Sequence, residues 1–137
     1  MCIRDSCYAT VGVARDAAPD TGSGGELFMM LSGAGRRLDR NYTVVGRVIA
    51  GAGYLSGLPR SDAPMGVYAA AAERTPIVSA RLASELPASV RPRFEYRRAD
   101  NPRFAAMIAA RITPKPPTVG LGGVDVCDLT LAVRQVR

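Results

Sequence analysis

A chain of 137 residues holds about one domain, and its 18 Lys and Arg against 12 Asp and Glu leave a formal net charge of +6. Hydrophobic residues at 47% and charged ones at 22% make an ordinary globular balance, and no apolar stretch approaches the ~18 to 20 residues that a membrane-spanning helix needs, so such a helix is excluded. His is absent, which excludes imidazole general bases, Ser-His-Asp and Cys-His triads, and His-ligated metal sites within this chain.

The opening Met1-Cys2-Ile3-Arg4-Asp5-Ser6 has neither the basic region nor the apolar stretch of a signal peptide. It reads as a translated adapter, so residues 1–8 are expected to be a non-native leader; the natural chain then continues upstream, with any export signal there. A frayed native terminus is the alternative. Residues 9–14 (ATVGVA) are small and β-branched and predict a short strand, followed by a long loop of turn formers to Gly25. The compact apolar run 26–31 (ELFMML) predicts a buried strand, with Phe28 and Met30 on one face and Leu27 and Met29 on the other. A tight turn at 38–42 leads into a β-branched strand at 43–49 (TVVGRVI), where Gly46 marks a bulge or a close backbone approach.

Residues 51–58 predict a short helix ended by Pro59, 60–75 an irregular connection, and 77–83 (IVSARLA) a further strand. After Pro87 and Pro92 the character changes. Residues 93–98 read as a strand, and Asn101-Pro102 opens a helix to about Ile112 with Phe104, Ile108 and Ile112 on one face. A Pro-rich stretch and a glycine turn precede a last strand at 124–136, expected to pair with 93–98 under the helix and to leave Cys127 as a small buried hydrophobe without a reactive role.

Three cysteines with no C-x-x-C pair fit neither a disulfide framework nor a zinc ribbon, so the redox compartment stays open. All basic residues but Lys115 are Arg, and they are scattered, with no group denser than pairs such as Arg36-Arg37 and Arg97-Arg98. A solvated basic surface is the reading preferred over nucleic-acid binding, which favours a contiguous stripe interleaved with aromatics. The glycines at 22–25 and 120–123 lack the Lys and Ser/Thr of a P-loop. Asp125 and Asp128, three apart in the predicted last strand, face opposite sides and form no catalytic dyad.

The sharpest pattern is the run Gly22-Ser23-Gly24-Gly25-Glu26-Leu27-Phe28-Met29-Met30, followed by Leu38-Asp39-Arg40-Asn41-Tyr42-Thr43-Val44-Val45-Gly46-Arg47-Val48. It resembles the cyclophilin-type peptidyl-prolyl isomerases, whose pattern here is N-S-Q-F-F-I and then L-D-x-x-[HY]-T-V-[FW]-G-x-V. Val13-Ala14-Arg15 resembles the M-A-R of bacterial members, and residues 77–83 with Val126-Cys127-Asp128-Leu129 resemble the extension of alphaproteobacterial exported members. The resemblance implies a mainly β chain: the C-terminal half of a cyclophilin-like β-barrel over residues 9–84, then a small α+β extension over 85–137. It implies an exported, periplasmic protein that is a monomer, acts on proline-containing polypeptides, uses no cofactor or metal, and engages neither nucleic acid nor a membrane.

The implied reaction is rotation about an X-Pro bond, whose barrier is ~18 to 20 kcal/mol. In the family a hydrophobic pocket grips the proline ring, one loop pairs with the substrate backbone, and an arginine donates to the proline nitrogen. That donor localises the lone pair and so weakens the amide resonance. Carried over residue by residue, Phe28 takes the place of a pocket phenylalanine and Leu38 that of the pocket leucine, while Ala14 and Arg15 fall on the loop that pairs with substrate. Glu26 stands where the family has Gln, Tyr42 where members have His or Tyr, and Arg37 where the tryptophan is usual, in a loop one residue longer. The catalytic arginine has no counterpart in this chain, and Arg15 and Arg47 match other motif positions, so the 137 residues alone are expected to be inactive. A non-catalytic proline-peptide-binding or chaperone-like module is the competing reading. A basic domain binding an acidic partner or nucleic acid is a third.

Overall fold

The computed structural model describes residues 6–113, 123–129 and 132–136. Three short strands, β1 (Thr10–Val13), β2 (Leu27–Met29) and β3 (Val44–Arg47), form an antiparallel sheet in the order β2-β1-β3. These three runs form strands as predicted, but β2 is shorter than the run 26–31. Nor is β2 the buried strand expected, since Leu27 is 59% exposed, Phe28 and Met29 are half-buried and Leu31 is exposed. β1 lies central because both later strands pair with it. Val11 faces Met29 on one side and Gly46 on the other. The next pair on the β3 side is Gly12 with Val44, so Val45 is the extra residue of a β-bulge. That bulge sits beside Gly46, as its sequence suggested, whereas nothing approaches Gly46 closely.

The chain then makes a short helix α1 (Ala52–Ser56), stopped at Gly57 before Pro59, and a run of turns. Residues 77–83 form no strand. Ile77 and Val78 are 87% and 95% exposed, and no strand among the described residues pairs with this stretch. Alternation of apolar and polar side chains makes a strand only where a partner edge satisfies the backbone, and this stretch lies against no edge of either described sheet.

The second sheet pairs β4 (Arg93–Tyr96) with β5 (Val133–Val136), Phe94 facing Gln135 and Glu95 facing Arg134. Arg134 donates twice to the Glu95 carboxylate, at 2.6 and 2.8 Å. Between them in sequence, α2 (Pro102–Ile112) begins where predicted: the Asn101 side chain accepts from the Arg103 amide at 2.9 Å, and Pro102 occupies the first turn. Of its apolar face only Phe104 is buried; Ile108 is half-buried and Ile112 exposed. The last strand is shorter than expected, because Val126–Asp128 is a 3-10 turn capped by Asp125, whose side chain accepts from the Cys127 amide.

Cys127 is not an unreactive buried hydrophobe. It is disulfide-bonded to Cys7, 120 residues away. Ser6 beside Cys7 is 1% exposed, and its amide donates to the Asp39 carboxylate at 3.0 Å. The sequence missed this pairing because an odd cysteine count with uninformative spacing says nothing of which residues meet in space.

The molecule is therefore mixed, with two small antiparallel sheets, few helices and no closed barrel among the described residues. Among the described residues the buried apolar side chains are Ala9, Val13, Met30 and Phe104, a small core. The accessible surface of 11358 Å² compares with roughly 6,900 Å² for a compact monomer of this mass. Many large apolar side chains outside the first sheet are uncovered. No described helix is long and apolar enough to cross a membrane.

Candidate functional site

The residues singled out in the sequence gather around the first sheet. β1 ends at Val13, and the Ala14 amide donates to the Glu26 carbonyl at 2.9 Å, fastening the start of the long loop to the residue before β2. From there Arg15 reaches across to the segment ahead of β3. Its Nε donates to the Asn41 carbonyl at 2.9 Å, one terminal nitrogen donates to the Asn41 side-chain oxygen, and the other to the Asp16 carbonyl at 2.7 Å. The guanidinium carbon stands 5.2 Å from the centre of the Tyr42 ring, within cation-π range.

Tyr42 in turn meets Phe28 edge to face, with ring centres 4.9 Å apart and planes at 75°. Phe28 leans over Gly12, its cross-strand partner; a Cβ at Gly12 would stand 2.7 Å from the tip of the Phe28 ring. The absence of a side chain at Gly12 is what lets the tip of the ring come this close to β1. Arg15, Tyr42, Phe28 and Gly12 thus form one continuous stack across the sheet.

Besides a hollow of about 380 Å³ lined by Arg15, Asn41 and Tyr42 among others, two further open hollows adjoin this stack. One, of about 520 Å³, is lined by Phe28, Met29, Met30, Ser32, Gly35, Arg37 and Leu38. Its floor is tight at Gly35, where a Cβ would lie 2.5 Å from the Ser6 carbonyl oxygen and 2.8 Å from the Met30 sulfur. The other, of about 410 Å³, is lined by Ala14, Arg15, Asp16, Asp20, Gly22, Ser23 and Glu26. The predicted residues therefore divide into Phe28, Arg37 and Leu38 around the first hollow and Ala14, Arg15 and Glu26 around the second. Tyr42 lines neither of these two but the hollow it shares with Arg15 and Asn41, and it touches both Phe28 and Arg15. The expected division of β2 into two faces is imperfect, since Met29 joins Phe28 and Met30 in the wall of the first hollow.

The second hollow is acidic. The Asp20 carboxyl is held below the usual carboxylate range, chiefly by the amide of Asp16, then by that of Gly22, which donate at 2.8 and 3.2 Å, with a smaller contribution from the Arg15 charge. The first hollow is apolar apart from Ser32 and Arg37. Among the described residues no cluster of His, Cys, Asp or Glu could hold a metal ion.

Three contributors were not read from the sequence: Gly12, Asn41 and Asp20. Gly12, a glycine inside a β-branched run, carries the same sequence signal of close approach as Gly46, and it is Gly12 that the Phe28 ring approaches. Asn41 fixes Arg15 through its backbone carbonyl and its amide together, a pairing over 26 residues that no local pattern encodes.

No protein-family model matches this chain, and no curated protein matches it.

Proposed function

We propose that residues 9–84 form the proline-peptide-binding part of a cyclophilin-type peptidyl-prolyl cis-trans isomerase. The observation that carries this reading is the Phe28 ring, held edge-on by Tyr42 and seated on Gly12 at the wall of an apolar hollow that Leu38 completes. A rigidly propped ring beside an apolar hollow suits a pyrrolidine, whose burial is favourable at roughly 25 cal/mol per Å² and which needs no polar partner. The Ala14 amide is already committed to Glu26, so Ala14 can offer a bound peptide only its carbonyl oxygen. Isomerisation requires no covalent intermediate, only a surface that holds the proline ring while the peptide bond turns and a donor that weakens its resonance.

For these 137 residues a specific observation favours binding over catalysis. The Arg15 guanidinium uses three of its five N–H groups on the Asn41 carbonyl, the Asn41 side-chain oxygen and the Asp16 carbonyl, and so is anchored to the loops rather than presented to a proline nitrogen. The reading is therefore a proline-peptide site in this chain, with catalysis belonging to an arginine that the chain does not carry.

The test is NMR titration of the purified chain with a short X-Pro peptide, with exchange spectroscopy on the cis and trans proline signals. Binding centred on Phe28 and abolished by Phe28→Ala, without acceleration of exchange, is the expected result. Binding indifferent to Phe28→Ala overturns the pocket, and strong acceleration by the chain overturns the division between binding and catalysis.

A further inference from the structure

Arg37 belongs to the 3-10 segment Gly33–Leu38 that follows β2, and its side chain forms part of the wall of the Phe28 hollow. It is exposed and has no hydrogen bond or ion pair with a described residue. The walls beside it, Phe28, Met29, Met30 and Leu38, are apolar. Other arginines, such as Arg47 and Arg60, likewise make no side-chain bond with a described residue, but among the described arginines Arg37 is the one in the wall of the Phe28 hollow. Arg15, Arg91 and Arg134 are occupied, on Asn41, on the Ser84 and Leu86 carbonyls and on Glu95. A guanidinium solvated in the free protein, with an apolar recess beside it, is ready to receive a carboxylate through two parallel N–H···O bonds.

The opposite end of β2 has the reverse sign. Asp16, Asp20 and Glu26 line the second hollow with Arg15 as the single cation, so three carboxylates outweigh one guanidinium, and Glu26 lies two residues from Phe28, about 7 Å along the strand. The potential along the face of β2 thus runs from negative at Glu26, past the Phe28 ring, to positive at Arg37. A neutral apolar recess would accept any proline peptide; this one is charged on both sides, with opposite signs.

Resting on the proline-site reading above, we propose that Arg37 is a specificity-determining residue: the Phe28 hollow selects proline peptides that carry a carboxylate side chain next to the proline. The occupant is a proline-containing polypeptide segment with Asp or Glu adjacent to the proline, and Arg37 receives that carboxylate while the ring enters the hollow. Charge complementarity sets the choice. The same field disfavours peptides with Lys or Arg in that place.

The experiment uses the full chain and three labelled peptides identical except for Glu, Gln or Lys before the proline, with affinities read by fluorescence anisotropy. The Glu peptide is expected to bind about two- to fivefold more tightly than the Gln peptide, and the Lys peptide most weakly, because the pair is solvent-exposed. The preference shrinks in about 1 M salt, where the screening length falls to ~3 Å. Arg37→Gln brings the Glu-to-Gln ratio to one, and Arg37→Lys retains part of it; circular dichroism establishes that both variants keep the parent secondary structure. Equal binding of the three peptides by the parent, or an unchanged ratio in Arg37→Gln, overturns the assignment of Arg37 while leaving the proline site standing. Failure of all three peptides to bind the parent overturns the proline site and Arg37's role with it.

Discussion

Cys7, three residues ahead of β1, is covalently joined to Cys127 at the far end of the chain, their Cα atoms 5.2 Å apart. Among the described strands and helices the extensive contacts lie within each sheet, β2 and β3 against β1 and β4 against β5. The disulfide is therefore a principal tie between the segment carrying the candidate site and the segment carrying α2 and β5. Closing a loop of 120 residues restricts the unfolded chain far more than the folded one.

Reduction is accordingly expected to destabilise the chain by about 2–4 kcal/mol. Denaturant titration with and without a reductant measures this, and Cys7→Ser with Cys127→Ser should reproduce the reduced protein. Alkylation followed by mass spectrometry should find both sulfurs protected until reductant is added. Coincident denaturation curves would show that the bond does not hold the two segments together.

Gly35 and Gly33 stand two residues apart in the same 3-10 segment, yet a side chain is tolerated at only one of them. A Cβ at Gly35 meets the Ser6 carbonyl and the Met30 sulfur, whereas at Gly33 nothing lies within 4 Å. Gly35→Ala should cost about 1–3 kcal/mol, because backbone must move, while Gly33→Ala should change stability by less than about 1 kcal/mol. Thermal denaturation of the two variants side by side is the measurement, and equal midpoints would contradict the close approach of Ser6.

Gly12→Ala acts on the stack instead. Its new methyl group would displace the Phe28 ring, which can swing away because it is the free end of a side chain. The edge contact with Tyr42, worth ~0.5–1.5 kcal/mol, should be lost, and with it several-fold in affinity for proline peptides. Ring-current shifts of the Tyr42 protons report the displacement directly. Unaltered shifts would mean that Gly12 does not seat the ring.

The Asp20 carboxylate fastens the loop after Arg15 by accepting from the Asp16 and Gly22 amides. Its folded pKa is depressed, so its contribution is fully present above the ordinary carboxylate range and is lost as the pH falls through the depressed value. Acid titration followed by NMR should move the Asp16 and Gly22 amide signals together, with a midpoint below that of an unperturbed aspartate. Asp20→Asn should abolish that titration. A midpoint at or above the usual value would remove the carboxylate from this role.

What the sequence by itself determined was local. β-branched runs made β1 and β3, Asn101 and Pro102 started α2, Gly57 and Pro59 ended α1, and the bulge came beside Gly46, because each depends on the conformational preferences of adjacent residues. Of the candidate residues, Arg15, Phe28 and Tyr42 meet in the fold. Only the tertiary structure decided that Gly12 and not Gly46 carries a close approach, that Asn41 holds Arg15, that Cys7 pairs with Cys127, and that residues 77–83 find no strand partner. Each of these turns on which surfaces meet across tens of residues, where the decisive quantities are the space above a backbone atom and the presence of a facing edge, and neither is a property of a residue or its neighbours in the chain.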